Sequence, residues 1–404
     1  MKNNVKKLLC AALSTAMITG SIVLPMTASA ETTPIFDGDT VEQEWKFDFG
    51  AAGTNAEDGY TLVTPDTNYV TNKEYGFLGV DEGSYKLGNR FDGFGNQKGQ
   101  VIKLAAGGGE GLNDAIGSVG EDSFGNAGDV YYPTRFALKA DDEAYYRVRA
   151  TVTTLDTTKD AEISLYTERK HPIFTDTKVE AGQTKTVEFS VRPTPIYYEK
   201  SEPKGEIADG MVNVCVAGKN SAIASIEIQK VQEYPVFWVL GDSTVTDGNC
   251  SLPFFRLQNY TGVGTGLTKY LPRNYAMVNE GEGGLNAADN YHFNMVKNRI
   301  KKGDFLYVEY GHNHKSDGPD GYVSNLDKYY NACHSVGATL VIVSPIERIN
   351  TFTDGAYQHT LDGFATAGAK YVADKVTAGA TDIAYVDLNS YSLDFYNKIT
   401  TDNG

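Results

Sequence analysis

The sequence contains little cysteine and little basic charge. Four of its 404 residues are Cys, and 36 Lys and Arg stand against 52 Asp and Glu, for a formal net charge of −16. A chain this acidic is not expected to bind nucleic acid or an anionic membrane through general electrostatics. The three Cys after residue 30 are too few and too sparse for a disulfide framework. They are Cys215, Cys250 and Cys333, and either one bridged pair or three buried thiols would fit the sequence.

Apolar runs long enough to cross a membrane are absent after residue 30. The first residues instead have the layout of a secretory signal peptide. Lys2, Lys6 and Lys7 precede the apolar stretch Leu8–Leu24, and Ala28-Ser29-Ala30 forms a small-residue cleavage site. Removing a leader with three Lys and no acids changes the charge to −16 − 3 = −19. We therefore expect a bacterial-type signal peptide cleaved after Ala30 and a secreted, extracellular protein.

Two hydrophobic patterns divide the mature chain. Residues 31–43 are polar and are predicted to be a flexible lead-in. From 44 to 230, apolar and polar residues alternate, as in antiparallel strands with one solvated face. The pattern predicts a β-sandwich over 44–230, with long loops in the glycine-rich stretch Gly93–Gly128. The alternating apolar residues include Trp45, Phe47, Phe49, Val148, Ala150, Val152, Val187, Phe189, Val212, Val214, Ile226 and Ile228.

After Pro235, short and continuously apolar runs alternate with helical patterns. Continuous apolar strands are buried on both faces, as in parallel sheets, so residues 235–404 are predicted to form a parallel α/β domain. The predicted strands are Val236–Leu240, Tyr275–Val278, Phe305–Tyr310, Leu340–Val343 and Ala384–Leu388. The predicted helices are Asp289–Lys301, Gly321–Val336, Leu361–Val376 and Leu393–Ile399.

Glycine and polar residues follow the first three of these strands. The segments are Gly241-Asp242-Ser243-Thr244, Asn279 to Gly284, and Gly311-His312-Asn313-His314. In open α/β sheets, ligands bind beyond the carboxyl ends of the strands, so the three segments should converge. Ser243 is then a candidate nucleophile. The backbone N–H groups of Ser243 and Gly284 and the side-chain amide of Asn313 are candidate donors to an oxyanion. Taken alone, Gly-Asp-Ser would more readily be a turn or a helix N-cap.

In this order, the segments resemble the SGNH (GDSL-type) hydrolases, and most of all the rhamnogalacturonan acetylesterases. Leu240 to Val245 looks like the first family block, Asn279 to Gly284 the second, and Gly311-His312-Asn313 the third. Ser344 to Arg348 resembles the Pro-x-x-Arg turn of these esterases, and Tyr385-Val386-Asp387-Leu388 also fits. The resemblance covers about residues 235–400.

The resemblance implies a flavodoxin-like three-layer α/β/α domain, here preceded by a galactose-binding-like sandwich. It implies an esterase that removes acetyl groups from plant polysaccharide, either pectin and rhamnogalacturonan or xylan. Ser243 would be the nucleophile, while Gly241, Asp242 and His312 would support the site. No metal or organic cofactor is implied.

The sequence departs from the family pattern in three places. Leu285-Asn286 follow Gly284 where the family often has Arg-Ser-Ser, and His314 replaces an Asp. Asn286 and His314 are therefore candidate substrate contacts. The family's base is a His that follows an Asp by three residues near the C-terminus, and no such pair occurs after residue 390. We therefore expect the printed sequence to stop before its acid–base pair.

The remaining His and carboxylates suggest no second site. His359 is a weak candidate for substrate contact, His292 and His334 are expected to be structural or exposed, and His171 is expected on the surface. Asp317 and Asp320 lie beside glycines, but they lack EF-hand spacing. The Cys and His residues show no zinc-ligand spacing, so no metal site is predicted.

Two other functions fit the sequence. One is a non-catalytic polysaccharide-binding protein, in which aromatic residues of the sandwich stack on sugar rings. The other is a general lipase or acyl hydrolase of the same fold, although the sequence shows no clear apolar lid. The candidate stacking residues are Tyr131, Tyr132, Tyr197 and Tyr198.

Overall fold

A computed structural model describes most of the chain after the predicted signal peptide. The described residues are 32–78, 103–108, 114–119, 133–168, 171–200, 205–207, 210–247 and 262–402. The predicted signal peptide, Cys250, Tyr131, Tyr132 and the side chain of Tyr198 lie outside this description. Residues from Pro34 onward group into one compact unit. Within the described ranges, no helix is long and apolar enough to cross a membrane.

The first half of the chain forms strands, as its alternating pattern predicts. The strands are β1 Val41–Phe49, β2 Thr61–Val63, β3 Tyr75–Phe77, β4 Leu104–Gly108, β5 Asp114–Ser118, β6 Thr134–Lys139, β7 Tyr145–Thr154, β8 Ala161–Thr167, β9 His171–Val179, β10 Thr184–Val191, β11 Ile196–Tyr198, β12 Gly205–Ile207, β13 Met211–Lys219 and β14 Ser221–Val231, with one short helix, α1 Tyr69–Asn72. β1 begins inside the predicted lead-in, residues 31–43. Ile35 is buried there, and its N–H donates to Gln229 Oε1 at 2.8 Å, which ties the lead-in to β14.

Two sheets share one hydrophobic cluster. The first has the order β10-β7-β14-β1-β2, with β5 also pairing β14 and β4 pairing β5. The second has the order β3-β6-β13-β8-β9. Phe47 and Val148 come from the first sheet, Phe136 and Val214 come from the second, and all four are fully buried in the same cluster. Apolar residues at every second position therefore bring the two sheets together.

The prediction of long loops over Gly93–Gly128 is wrong for β4 and β5. The glycines of these strands allow a close approach of the backbone. A Cβ atom at Gly107 would lie 2.3 Å from Leu155 O, and one at Gly117 would lie 2.3 Å from Ser221 O. Glycine at these two positions thus permits close strand packing. The high glycine content nevertheless led the sequence analysis to predict loops.

The polar faces of the strands are not all solvated, contrary to the alternating-pattern prediction. Arg147 of β7 is buried and pairs with Asp39, with Nη2 donating to Oδ1 at 3.1 Å. Its Nη1 donates to Asn274 O at 2.9 Å, and its guanidinium lies 3.8 Å from the ring centre of Tyr234. Asn274 and Tyr234, which follow the predicted sandwich in sequence, cover this face. The Arg147 guanidinium was predicted to be solvated, and it is instead buried against protein.

The second half alternates strands with helices, as predicted. The strands are β15 Val236–Gly241, β16 Ala276–Asn279, β17 Phe305–Glu309, β18 Thr339–Val343, β19 Phe352–Thr353, β20 Ala356–Tyr357 and β21 Ile383–Val386. The helices are α2 Val263–Gly266, a 3₁₀ turn Leu267–Lys269, α3 Tyr291–Lys297, α4 Gly318–Val323, α5 Leu326–Val336, α6 Asp362–Thr377 and α7 Leu388–Asp402. β16, β15, β17, β18 and β21 form a sheet in that order, and all of their pairings are parallel. The fold is therefore mixed α/β with a parallel sheet.

Alternate residues of the parallel strands enter two different hydrophobic clusters. Trp238 and Leu306 pack with residues of α3, α5 and α6 in one cluster. Val239 and Tyr307 pack in another cluster, with partly buried residues of α2, the 3₁₀ turn and α7. Both faces of the sheet are thus covered, which explains why its strands read as continuous apolar runs.

The predicted helix Gly321–Val336 is split into α4 and α5. At the break, Ser324 Oγ and Asn325 Nδ2 both donate to Gly321 O, at 2.8 and 2.7 Å. Short polar side chains that bond back to the main chain compete with the helical pattern. Elsewhere in the described residues, Cys215 of β13 and Cys333 of α5 are buried and free.

Candidate active site

The three glycine-containing segments lie side by side because β15 has β16 and β17 as its direct neighbours. The segment after β16 continues along β15, since Glu280 N donates to Val239 O at 2.9 Å and Glu282 N donates to Gly241 O at 3.2 Å. A Cβ atom at Gly241 would lie 2.5 Å from Glu309 O, so β15 and β17 approach closely here. The strand order thus brings the predicted segments to one edge.

Ser243 sits in a turn that Asp242 stabilises. Asp242 is fully buried, and its Oδ1 accepts hydrogen bonds from Thr244 N at 3.0 Å and Thr244 Oγ1 at 2.9 Å. Ser243 itself is half-buried, and residues 242–245 form a turn in which no helix begins. The alternative interpretation of Ser243 as a helix N-cap is therefore wrong, and Asp242 holds the turn through its bonds to Thr244.

Gly284 and Asn313 lie beside this turn. A Cβ atom built on Gly283 would be 3.7 Å from Ser243 Cβ, and Gly284 is exposed with a φ of +87°, which favours glycine. Asn313 Nδ2 donates to Leu285 O at 2.8 Å, which places the amide against the Leu285–Asn286 peptide, one residue after Gly284. An amide nitrogen has two hydrogens, and this bond uses one of them. The segments that carry Ser243, Gly284 and Asn313 thus lie at one edge of the sheet, and their joint role in a site stays a prediction.

Two backbone donors of this edge make no hydrogen bond among the described residues. Counting only hydrogen bonds within the described ranges, neither Ser243 N nor Gly284 N donates one. Unused N–H groups beside a half-buried hydroxyl are the arrangement that binds a developing oxyanion.

Asn279 of β16 fastens the second segment to the first. Its Nδ2 donates to Val245 O and to Asp247 Oδ1, both at 2.8 Å, and its Oδ1 accepts from Gly281 N at 3.0 Å. A buried amide with three bonds resists rotation, so it holds the loop that leads to Gly284.

Glu309, the last residue of β17, was missed by the sequence analysis. It is fully buried beneath the Ser243 turn, where its Oε2 accepts from Tyr307 Oη at 2.8 Å and its Oε1 accepts from Ile346 N at 3.2 Å. Thr244 Oγ1 lies 3.0 Å from Oε1. One signal was available, because a carboxylate stands inside the apolar run Phe305–Tyr310.

Glu309 and Asp242 form a pair of buried acids. Burial raises the pKa of Glu309 to about 7, the hydrogen bonds from Tyr307 and Ile346 oppose this, and the nearby charge of Asp242 adds to it. Burial also raises the pKa of Asp242, against the bonds from Thr244 and the nearby positive charge of His312 and Arg348. Two acids share this low-dielectric region, so charge on one disfavours charge on the other.

His312 and Arg348 connect two loops at this edge. His312 Nε2 donates to Ile346 O at 2.8 Å, and Arg348 Nη2 donates to His312 O at 2.8 Å. These bonds join the loop after β17 to the Pro-x-x-Arg turn after β18. His312 therefore helps to hold its loop against the turn after β18, and its role in supporting a catalytic site stays a prediction.

His314 and Asn286 were predicted as candidate substrate contacts, and for His314 the geometry disagrees. His314 is buried, its Nε2 accepts from Ala287 N at 3.0 Å, and its Nδ1 lies 3.1 Å from both oxygens of Asp317. Both ring nitrogens are thus engaged, and the side chain anchors the loop that carries Gly284. Asn286 is half-buried, and its Oδ1 accepts from Ala288 N at 3.0 Å in a local turn.

The remaining His residues occupy other environments. His171 was expected on the surface, but it is buried, and its Nε2 lies 3.0 Å from Asp247 Oδ2. His334 is exposed, and His359 is half-exposed with Nδ1 3.3 Å from Asn389 Oδ1. Among the described residues, none of the His side chains hydrogen-bonds to Ser243.

A second polar cluster surrounds His292 of α3. Its side chain is fully buried, and Glu282 and Asp289 lie 3.3 and 3.4 Å from its two ring nitrogens. Burial lowers the pKa of His292, but the hydrogen bonds with Asp289 and Glu282 outweigh this and raise it to about 10. Asp289 and His292 have an Asp-x-x-His spacing, but a fully buried ring is not accessible to substrate.

Glu282 and Glu280, in the second segment, were also missed as functional residues. Glu282 is buried and accepts from Glu199 N at 2.8 Å and from Lys200 N at 3.0 Å. Glu280 Oε1 accepts from Arg299 Nη2 at 3.1 Å. The loop that leads to Gly284 is therefore held by residues on both sides of it. Two carboxylates among glycines were the available signal.

Comparison with known proteins gives only distant likenesses. The chain matches no protein-family model and no curated protein. It is similar to the solved structure of protein YxiM from Bacillus subtilis, with 18% identity over 88% of each chain and a TM-score of 0.37. It is similar to the salicylyl-acyltransferase SsfX3 of a tetracycline biosynthetic pathway, with 12% identity over 63% of this chain and 70% of that one, and a TM-score of 0.30. It is similar to the acetylxylan esterase Axe2 from Geobacillus stearothermophilus, with 16% identity over 40% of this chain and 80% of that one, and a TM-score of 0.29. At these values the function must be argued from the geometry of this chain.

Proposed function

We propose that this protein is a secreted serine carbohydrate esterase that removes acetyl groups from plant cell-wall polysaccharide, either pectin and rhamnogalacturonan or xylan. One observation carries the proposal. Among the described residues, a half-buried serine, two backbone N–H groups without a hydrogen bond and an asparagine amide follow neighbouring strands at the carboxyl edge of a parallel sheet. This set of groups suits acyl transfer.

In the proposed reaction, Ser243 Oγ attacks the acetyl carbonyl and its proton passes to a base. Ser243 N–H, Gly284 N–H and Asn313 Nδ2–H stabilise the oxyanion. Collapse of the tetrahedral intermediate breaks the bond to the sugar oxygen, which leaves as a hydroxyl after taking the proton. Water then hydrolyses the acetyl-serine to acetate. The resemblance implies a His as base, oriented by an Asp, and we assign no described residue to that pair.

The proposed architecture follows the same resemblance. Apolar clusters on both faces of the parallel sheet support a flavodoxin-like three-layer α/β/α domain over 235–404. The cluster shared by the two antiparallel sheets supports a galactose-binding-like sandwich over 44–230. Tyr197, one of the predicted stacking residues, instead packs edge-on against Tyr291, with ring centres 6.4 Å apart.

The test is acetate release from acetylated pectin and acetylated xylan by the natural full-length protein. Ser243→Ala should lower the rate by roughly 10⁴-fold or more, because the nucleophile is lost. Ser335→Ala, which alters an exposed hydroxyl of α5, is the matched control and should keep full activity.

Three results would contradict the proposal. Undiminished acetate release by Ser243→Ala would remove Ser243 as nucleophile. Polysaccharide binding without any acetate release would favour the non-catalytic alternative. Equal rates on long-chain and acetyl esters would favour a general acyl hydrolase.

A further inference from the structure

A cluster of metal-ligand side chains lies outside the proposed catalytic groups. Glu199 directly follows β11, while Asp289 and His292 lie just before and within the first turn of α3. One carboxylate oxygen from each acid and one ring nitrogen of His292 all lie within 4.8 Å of one another. Asp289 and His292 are buried, and the side chain of Glu199 is 44% exposed. Three ligand-type groups thus share a site with one open side.

The surroundings of His292 orient its ring. Nε2 lies 3.0 Å from Tyr197 O and 3.3 Å from Glu282 Oε2, and both of these oxygens are acceptors. Nε2 therefore donates its hydrogen to these oxygens. Nδ1 is fully buried and faces Asp289 Oδ2 at 3.4 Å, beyond hydrogen-bond geometry among the described residues, and an ion bound there would replace the hydrogen that Nδ1 carries when the ring is protonated. A histidine that donates through one nitrogen to a carbonyl and a carboxylate, with the other nitrogen aimed at acidic groups, has the geometry of a metal ligand.

The spacing of the ligand atoms suits a tetrahedral ion. Nδ1 lies 3.4 Å from Asp289 Oδ2. Two ligands of tetrahedral Zn²⁺, with bonds of about 2.0–2.1 Å, lie about 3.3 Å apart. These two atoms therefore need almost no movement. Asp289 also accepts from Tyr291 N and His292 N, at 3.2 and 3.1 Å, which fixes its carboxylate.

Glu199 is the adjustable member of the cluster. Its backbone N–H donates to Glu282 Oε2 at 2.8 Å, so its main chain is anchored, while its side chain is 44% exposed. Its contact with Lys200 Nζ, at 3.7 Å, is long and exposed. Rotation of the carboxylate towards Nδ1 would complete a set of three ligands.

We propose that Glu199, Asp289 and His292 bind a divalent transition-metal ion of the Zn²⁺ type, with water as the fourth ligand. The ion would join the segment after β11 to α3. The loop before α3 carries Gly284, so the ion would also stiffen the loop that supplies an oxyanion donor. Glu282 would act as the outer carboxylate that keeps the His292 ring in place. The binding claim does not depend on esterase activity.

In the experiment, full-length protein treated with EDTA is titrated with Zn²⁺ in a calorimeter. Metal bound per chain is then measured after dialysis. We expect about one equivalent of Zn²⁺ per chain and a higher melting temperature, because an ion that binds only the folded state stabilises it. Co²⁺ in place of Zn²⁺ should give the visible absorption of a four-coordinate ion.

Glu199→Gln is the main variant, since an exposed side chain can change without unfolding the protein. It should weaken Zn²⁺ binding by at least about tenfold, as loss of a ligand costs no less than loss of an outer-sphere partner. His292→Gln should abolish binding. Glu74→Gln, an exposed carboxylate paired with Lys139, is the matched control and should bind as the natural protein does.

Several outcomes would overturn the proposal. Absence of stoichiometric Zn²⁺ binding would show that the cluster is only a buried ion pair. Unchanged binding by Glu199→Gln and His292→Gln would place any bound ion elsewhere. Binding of Ca²⁺ in preference to Zn²⁺ would exclude a nitrogen-containing site of this type. Loss of acetate release by Ser243→Ala would leave all these results unaffected.

Discussion

Two regions of the molecule place polar groups differently. At the carboxyl edge of the parallel sheet, Ser243 is half-buried, and the N–H groups of Ser243 and Gly284 are unused among the described residues. On the covered face of β7, the Arg147 guanidinium is buried and bonded to Asp39, Ser190 and Asn274. The first region leaves donors for a ligand, whereas the second uses its donors to hold the chain together. Hydrogen-bond donors are therefore left without a partner at one place, among the described residues, and are used to hold the chain together at the other.

Arg147→Ala should lower the stability of the folded protein strongly but leave its acetate release intact. Loss of the guanidinium would leave Asp39 and Asn274 O without their partner, and breaking a buried pair costs about 3–5 kcal/mol. Denaturant unfolding should show this loss, while acetate release at low temperature should be kept. Lys139→Ala removes an exposed pair with Glu74 and should cost no more than about 1 kcal/mol. Equal losses in the two variants would remove the distinction between the regions.

Asn313→Ala should have the opposite effect, with a lower rate of acetate release and almost unchanged stability. Removing one oxyanion donor costs about 10²–10³-fold in kcat, so the rate of acetate release should fall by that factor with little change in KM. The melting temperature should change by no more than it does in Asn325→Ala, a control whose amide also donates to a carbonyl, Gly321 O. A fall in stability that accounts for the lost rate would assign Asn313 to structure instead.

The buried acids beneath Ser243 give a smaller effect that depends on pH. The pKa of Glu309 is about 7 in the folded protein, above its ordinary 4.5, so the folded state keeps a proton that the unfolded state has lost. Its contribution to stability is fully present below about pH 4.5 and is lost as pH rises through 7, by on the order of 1–3 kcal/mol. Glu309→Gln should remove this part of the pH dependence. Parallel curves for the natural protein and the variant between pH 4.5 and 7 would refute the assignment.

Much of the parallel sheet was predictable, because its information is local. Val236–Leu240 is continuously apolar and forms β15, and the glycines that end the strand follow at once. The sequence predicted that Ser243, Gly284 and Asn313 lie at one edge, because ligands bind beyond the carboxyl ends of parallel strands. The strand order that makes their three segments neighbours came only from the structure. The split between α4 and α5 was missed because Ser324 and Asn325 make bonds that the apolar period does not register.

Contacts between residues distant in sequence were not predictable in the same way. His171 was predicted to lie on the surface, because no pattern in the neighbouring sequence indicates that Asp247 is its partner. The proposed metal site could not be predicted for a similar reason. Glu199 and His292 have no zinc-ligand spacing in the sequence, and only the packing of the segment after β11 against α3 brings them together.

The sequence alone determined the strands of the parallel sheet, the polar residues that follow them and the candidate nucleophile, because periodicity and strand-end residues are properties of neighbouring positions. Only the tertiary structure decided which polar groups are paired and which are left for a ligand. Arg147 and His314 are bonded to other parts of the chain, whereas Ser243 N makes no hydrogen bond among the described residues. This difference depends on burial and on partners from elsewhere in the chain, since a hydrogen bond or an ion pair forms where the fold brings its two groups together.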